Sequence, residues 1–214
     1  MEIKKHRYAI PAEEDFEPDS KDEVLRNYLG VKSKEEMELL EAQELKRAEL
    51  ALLETQVNHQ FTAEDICTIH ELWLGDIYPF AGKYRTVNLT KDGFLFAASQ
   101  RIADLMVKFE KDFLTQYTPC NDFDMEQLAR ALGIVHIELI LIHPFREGNG
   151  RAARLLADLM VMQAKRPSLD YSPIDQTKNE KGFNEYIAAI HSGVDGDYEP
   201  IQKLFKKMLE LPIS

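Results

Sequence analysis

Cysteine is scarce: Cys67 and Cys120 are the only two in 214 residues. That excludes a disulfide framework and a cysteine-built zinc site, and two buried free thiols are expected. Long apolar runs are missing too, so no segment reaches the ~20 residues that a membrane-spanning helix needs. Met1–His6 leads into no apolar segment, so no secretory signal is expected and the chain reads as cytoplasmic. Basic charge is short. The 26 Lys and Arg face 37 Asp and Glu, a net charge of −11, which leaves no cationic excess to release counterions from nucleic acid. Repeats and low-complexity tracts are absent from the sequence. What remains is a hydrophobic fraction of 44%, enough for a core, and a length that suits one domain with an N-terminal extension.

Helical patterning dominates that remainder, and an all-α fold is expected. Residues 1–32 read as a polar arm, with Pro11 and Pro18 against helix and a short helix over Glu23–Leu29 closed by Gly30. Residues 33–214 read as the helical domain. Ser33 and Glu36 make a capping box for a helix to about Gln56, with Leu39, Leu40, Leu45, Ala48, Leu52 and Leu53 on its apolar side. Thr62 and Asp65 open a second helix carrying Ile66, Ile69 and Trp73. His59 and His70 have no obvious partners and receive no chemistry. Pro79–Ala97 breaks the pattern: Tyr84–Leu89 and Phe94–Phe96 favour strand, and Lys91-Asp92-Gly93 carries a hairpin signal. An isolated hairpin is marginal, so it must rest on the helices, and its edge can pair with an extended peptide. Helices resume near Gln100, at Met125–Ile142 behind Asp124, at Arg151–Ala164, at Asn179–His191 and after Asp197. His136, in an apolar context, reads as a core or helix-surface histidine, and at two helical turns from His143 it is too far away to share a metal ion with it.

The richest chemistry lies between two buried helices, in His143-Pro144-Phe145-Arg146-Glu147-Gly148-Asn149-Gly150-Arg151-Ala152-Ala153-Arg154. Gly148 and Gly150 permit backbone turns that aim amide N–H groups inward as an anion nest. The loop feeds a helix N-terminus, where orphan N–H groups and the dipole favour phosphate. Arg151 and Arg154 share one side of that helix, and arginine forks suit phosphate oxygens. Glu147 would repel such a ligand unless a cation bridged them, as Mg²⁺ does with carboxylates and substrate phosphates. His143, just before Pro144, sits where the first helix must end and there can serve as a general base. Each element alone has a structural explanation: a turn, a solvated histidine, surface charge. Their coincidence in one short loop points to a site.

This stretch resembles the signature of the Fic family, His-x-Phe-x-(Asp/Glu)-Gly-Asn-Gly-Arg-x-x-Arg, at every specified position. The resemblance implies a Fic fold, a helical bundle with a β-hairpin flap over the active-site loop. It also implies a protein adenylyltransferase that moves AMP from ATP to a Ser, Thr or Tyr hydroxyl. By position, His143 is then the base, Glu147 the Mg²⁺ ligand, and Gly148, Asn149 and Gly150 the phosphate cradle, with Asn149 also on the α-phosphate. Arg151 and Arg154 bind the β- and γ-phosphates, and Phe145 anchors the loop. Tyr186, on a helix that lines the adenine side in the family, is a candidate for facing the base. The target protein would dock along the hairpin of residues 82–97, with Lys91 and Phe94 as candidate contacts. The N-terminal part is similar to stand-alone bacterial Fic toxins. Many family members silence themselves with a (Ser/Thr)-x-x-x-Glu helix, but no Ser or Thr of this sequence is followed by Glu at that spacing. Restraint by a separate small antitoxin that supplies the Glu is therefore an expected possibility. The alternatives are transfer of another phosphate-containing group and a non-catalytic peptide-binding module.

Overall fold

The structure is a computed structural model and describes residues 15–52, 58–91 and 93–211. Seven helices carry the fold: α1 (Lys34–Leu52), α2 (Ala63–Leu74), α3 (Ile102–Phe109), α4 (Met125–Ile142), α5 (Asn149–Gln163), α6 (Glu180–Val194) and α7 (Glu199–Glu210). A π turn at Glu110–Leu114 prolongs α3 to Tyr117. One antiparallel pair, β1 (Thr90–Lys91) and β2 (Phe94–Leu95), forms the hairpin.

Helix α4 is the axis of the bundle. Asp124 and Gln127 cap its N-terminus reciprocally, satisfying two orphan N–H groups. Its apolar residues point in nearly every direction, and α3, α5, α6 and α7 all pack on it. Leu128, Leu132, Ile137 and Leu139 are at most 2% exposed. Each such side chain contributes about 2 kcal/mol by leaving water. Gly193 of α6 lets that helix come close: a Cβ there would lie 2.4 Å from Ile137. Helix α2 packs on both α1 and α5, so it ties the front layer to the bundle. Its capping box of Thr62 and Asp65 forms as expected, and Trp73 is wholly buried. Both cysteines are free. Among the described residues, no helix is long and apolar enough to cross a membrane.

Three expectations need correction. Glu23–Leu29 is not helical. The Asn27 side chain instead bonds the N–H groups of Leu29 and Val31 and the carbonyls of Leu25 and Val31, a local competition that favours turns over helix. Leu39 is 59% exposed, whereas Glu41 on the same helix is buried; propensity alone cannot show which face meets the bundle. Residues 53–57, where α1 was expected to end, and Asp92 of the hairpin turn lie outside the described residues. The hairpin ladder is shorter than its β-rich sequence suggests: the Leu89 carbonyl still accepts from the Phe96 N–H, but the start of the Tyr84–Leu89 leg turns to the bundle. Arg85, for example, gives its N–H to the Pro144 carbonyl.

Candidate active site

Helix α4 stops at His143, which takes left-handed backbone angles (φ 53°, ψ 59°). The residue after it, Pro144, forbids a further helical turn. The chain then loops and re-enters helix at Asn149, with Gly148 as a left-handed N-cap (φ 81°). Helix α5 thus begins two residues earlier than expected and Gly150 lies in its first turn. Only Gly148 needs positive φ. A Cβ there would also meet the Trp73 ring at 2.7 Å, whereas one at Gly150 would meet nothing within 4 Å. Gly148 therefore serves packing, and Gly150 leaves open the face beside the first-turn N–H groups. Those N–H groups have no intrahelical acceptor.

Several side chains hold this loop rigid. Asn149 is 2% exposed and grips Phe145 twice: its Oδ1 accepts the Phe145 N–H and its Nδ2 donates to the Phe145 carbonyl, both at 2.8 Å. The amide expected on a phosphate is thus committed to the loop itself. Phe145 is fully buried, as expected of an anchor, and stacks on His70 at 3.9 Å. His70 was assigned no chemistry, yet it is a bridge. Its Nδ1 accepts from the Gly82 N–H (2.9 Å) at the hairpin root, and its Nε2 donates to the Glu147 carbonyl (3.0 Å). Burial, which penalises the charged ring, pulls its pKa down to about 4. The neutral tautomer needed for both bonds is thereby kept.

The two arginines differ. Arg151 is committed: its Nη1 lies 2.6 Å from Glu41 Oε2, its guanidinium sits 4.5 Å over the Trp73 ring, and Glu147 is 3.7 Å away. Tyr78 donates to the other Glu41 oxygen and Trp73 Nε1 to the Glu41 carbonyl. Arg154 rests over Tyr171 at 5.7 Å and has no ion pair among the described residues. Sequence reasoning missed Glu41 and Tyr78. One signal was available, a carboxylate on the face that carries Met37, Leu45 and Ala48.

A cavity of about 910 Å³ opens beside the loop, lined by Glu41, Arg146, Glu147, Arg151, Arg154 and Phe183 among others. Arg146, an unspecified position in the signature, is 7% exposed and reaches Asp15 of the arm at 3.3 Å. Tyr186 does not line this cavity. It is 6% exposed and its hydroxyl bonds His136 at 2.8 Å, so an amphipathic phenol is satisfied within the core. Phe183, a turn earlier, faces the cavity from the same helix. Glu147 presents a half-shielded carboxylate that also accepts from the Gly148 N–H (2.9 Å). No cluster of three metal-ligating side chains exists among the described residues. A single carboxylate at a phosphate cavity does fit Mg²⁺, which takes one or two protein oxygens and completes its shell with phosphates and water.

His143 is closely guarded. It is 5% exposed and outside the cavity lining. Nδ1 lies 3.1 Å from the Ile140 carbonyl, which can only accept, so Nδ1 carries the proton and Nε2 the lone pair. Phe96, just past β2, stacks on the imidazole at 3.7 Å. Phe94 meets the Phe96 ring edge-on at 5.2 Å and stacks on His191 at 5.4 Å. Leu95, 65% exposed, is the outward hairpin residue instead of Phe94. A Phe96→Ala variant is expected to react several-fold faster at His143 with diethylpyrocarbonate, located by peptide mass spectrometry. Unchanged reactivity would mean that the ring does not shield the histidine.

The helical bundle thus sets two arginines and a carboxylate around one polar cavity beside a helix N-terminus, an arrangement with the chemistry to bind phosphate. Residues 60–161, which include the whole active-site loop, match the model of the Fic/DOC family, and over that stretch the chain is a Fic-type domain. It is 30% identical over 158 residues to protein adenylyltransferase fic-1 of Caenorhabditis briggsae, covering 73% of this chain and 29% of that one. It is 30% identical over 131 residues to protein adenylyltransferase VbhT of Bartonella schoenbuchensis, covering 61% and 27%. The chain thus spans less than a third of the length of these curated relatives. The N-terminal Fic domain of a Bartonella quintana cell filamentation protein superposes with TM-score 0.74 at 22% identity, covering 92% of this chain and 91% of that one. BepC of Bartonella tribocorum, solved with AMPPNP bound, gives 0.70 at 20%, covering 88% and 93%. At those identities the solved structures establish the fold: the all-α Fic architecture with its hairpin.

Proposed function

We propose that this chain is a protein adenylyltransferase, transferring AMP from ATP to a side-chain hydroxyl of a target protein. The observation that carries the reading is the convergence, on one cavity, of Glu147, Arg151 and Arg154, which flank the N-terminus of α5. The adenylyltransferase names of the relatives support it. The first-turn N–H groups and Arg154 hold the phosphates, Arg151 adds its partly neutralised charge, and Glu147 supplies an oxygen to Mg²⁺. Bound there, Mg²⁺ would screen the negative charge of the triphosphate. The target strand docks beside the hairpin, with Leu95 outward. Its hydroxyl oxygen forms a bond to the α-phosphorus as the proton passes to Nε2 of His143. The bridging P–O bond breaks, and pyrophosphate leaves.

Regulation belongs to the same proposal. Arg154, which has no ion pair among the described residues, offers its guanidinium to a carboxylate from outside the chain, which suits restraint by a small antitoxin acting in trans in a cytoplasmic toxin–antitoxin pair.

The test is a cell lysate incubated with the protein and α-labelled or, separately, γ-labelled ATP. Protein labelled only from the α position is expected. Label from the γ position would make the enzyme a kinase, and none from either would return the peptide-binding module. Arg154→Ala is expected to weaken ATP·Mg²⁺ binding by about tenfold, loss of a charged hydrogen-bond partner being worth about 1.5–3 kcal/mol, and to weaken ADP binding less. Equal losses in a calorimetric titration would take Arg154 off the terminal phosphate.

A further inference from the structure

Arg85 stands at the root of the hairpin, 4% exposed. Its guanidinium donates to backbone carbonyls from three separate segments. Nε reaches the His143 carbonyl at 2.7 Å. Nη1 reaches Val87 at 2.6 Å, on the leg before β1. Nη2 reaches Ala97 at 2.5 Å, on the leg after β2, and Ile142 at 3.4 Å, the last residue of α4. Its own N–H adds the Pro144 carbonyl at 2.8 Å. One side chain therefore binds both legs of the hairpin and the last two residues at the helix end, and the backbone N–H of the same residue adds Pro144.

The chemistry explains why an arginine stands there. The end of a helix leaves its last carbonyls without partners, and here they are buried under the hairpin. A planar fork with five donors in fixed directions can satisfy several at once. A desolvated guanidinium is in turn tolerable only when acceptors surround it. The dipole of α4 adds attraction, since its C-terminus is the negative end. His143 needs such support, because a residue with a Cβ resists left-handed angles at a cost of about 1–2 kcal/mol. The Arg85 bond to its carbonyl is made in this conformation, the one in which Nδ1 faces Ile140 and the ring lies under Phe96.

We propose that Arg85 is a positioning residue for transfer: by tying the end of α4 to both legs of the hairpin it holds His143 in its left-handed conformation. The proposal rests on the reading of His143 as that base. Arg85 is buried and does not line the cavity, so its contribution passes through His143.

The experiment is a double-mutant cycle on the full chain, with incorporation of α-labelled ATP into lysate protein as the rate. The variants are Arg85→Lys, His143→Asn and both together, with Arg85→Gln as a second replacement. Asparagine is chosen because it tolerates left-handed angles. Rates are expressed per ATP·Mg²⁺-binding site, so only folded protein is counted. Arg85→Lys keeps the charge but offers one compact donor group. It is expected to lower the rate about 10²-fold, the scale of an ångström-sized misplacement, with KM for ATP unchanged within twofold. In the His143→Asn background the same substitution is expected to change the residual rate less than twofold, since groups acting as a unit are not additive. Equal losses in both backgrounds would show that Arg85 acts elsewhere and overturn the proposal, as would a normal rate in Arg85→Lys and Arg85→Gln. A normal rate in His143→Asn alone is a different failure: it removes the base, and the role of Arg85 falls with it.

Discussion

Replacing His143 with alanine or asparagine is expected to cut AMP transfer about 10²–10⁴-fold, the usual worth of general-base assistance, while ATP·Mg²⁺ still raises the melting temperature. The two effects are expected to separate because the groups proposed to bind phosphate belong to α5 and the proposed base to the end of α4. His143 lines no part of the cavity that holds Arg154 and Glu147. Its Nδ1–H is fixed by the Ile140 carbonyl, so the ring offers the lone pair of Nε2 and cannot turn to present Nδ1 without losing that bond. The asparagine variant is the cleaner of the two, because it accepts the backbone angles that alanine resists. Rates measured with labelled ATP, set beside the thermal shift, decide the matter. Full transfer by the asparagine variant would remove His143 from its role, and loss of the ATP shift would show damage to the nucleotide site instead.

Glu41→Ala is expected to destabilise the protein by about 3 kcal/mol, since removing one member of a buried ion pair strands the other. For a chain of this size that lowers the melting temperature by roughly 10 °C. The carboxylate is 7% exposed, and its two oxygens serve Arg151 and Tyr78. Truncation would leave a guanidinium and a phenol without acceptors under α1. Glu41→Gln keeps an acceptor for one of them and is expected to lose about half as much, loss of the charge weakening the bond to Arg151. Thermal unfolding of the three proteins at equal concentration checks both figures. A shift under 2 °C in Glu41→Ala would mean that Arg151 finds another partner, with Glu147 at 3.7 Å the nearest carboxylate.

Much was legible in the sequence because local chemistry forced it. Asp124 with Gln127 and Thr62 with Asp65 capped α4 and α2 as short-range hydrogen bonding requires. The all-apolar end of α4 could only be core, and Pro144 had to stop it. The twelve-residue stretch fixed its own loop: the left-handed glycine, the helix start behind it and the buried Phe145 all follow from residues within one segment. So did the family, whose signature is local.

What the tertiary structure alone decided is how distant groups pair. No spacing rule links Glu41 to Arg151, His70 to Glu147, Arg85 to His143 or Phe96 to the imidazole, because each pair joins elements brought together only by burying α4 among its neighbours. Those pairings changed the meaning of residues already marked. Arg151 became a largely satisfied cation and Arg154 the open one. Asn149 became a clamp on its own loop, and Tyr186 a core phenol. The physical reason is common to all four: a buried polar group must be satisfied by whatever the fold places beside it. The sequence by itself determined which residues could do chemistry, and packing determined which were left free to do it.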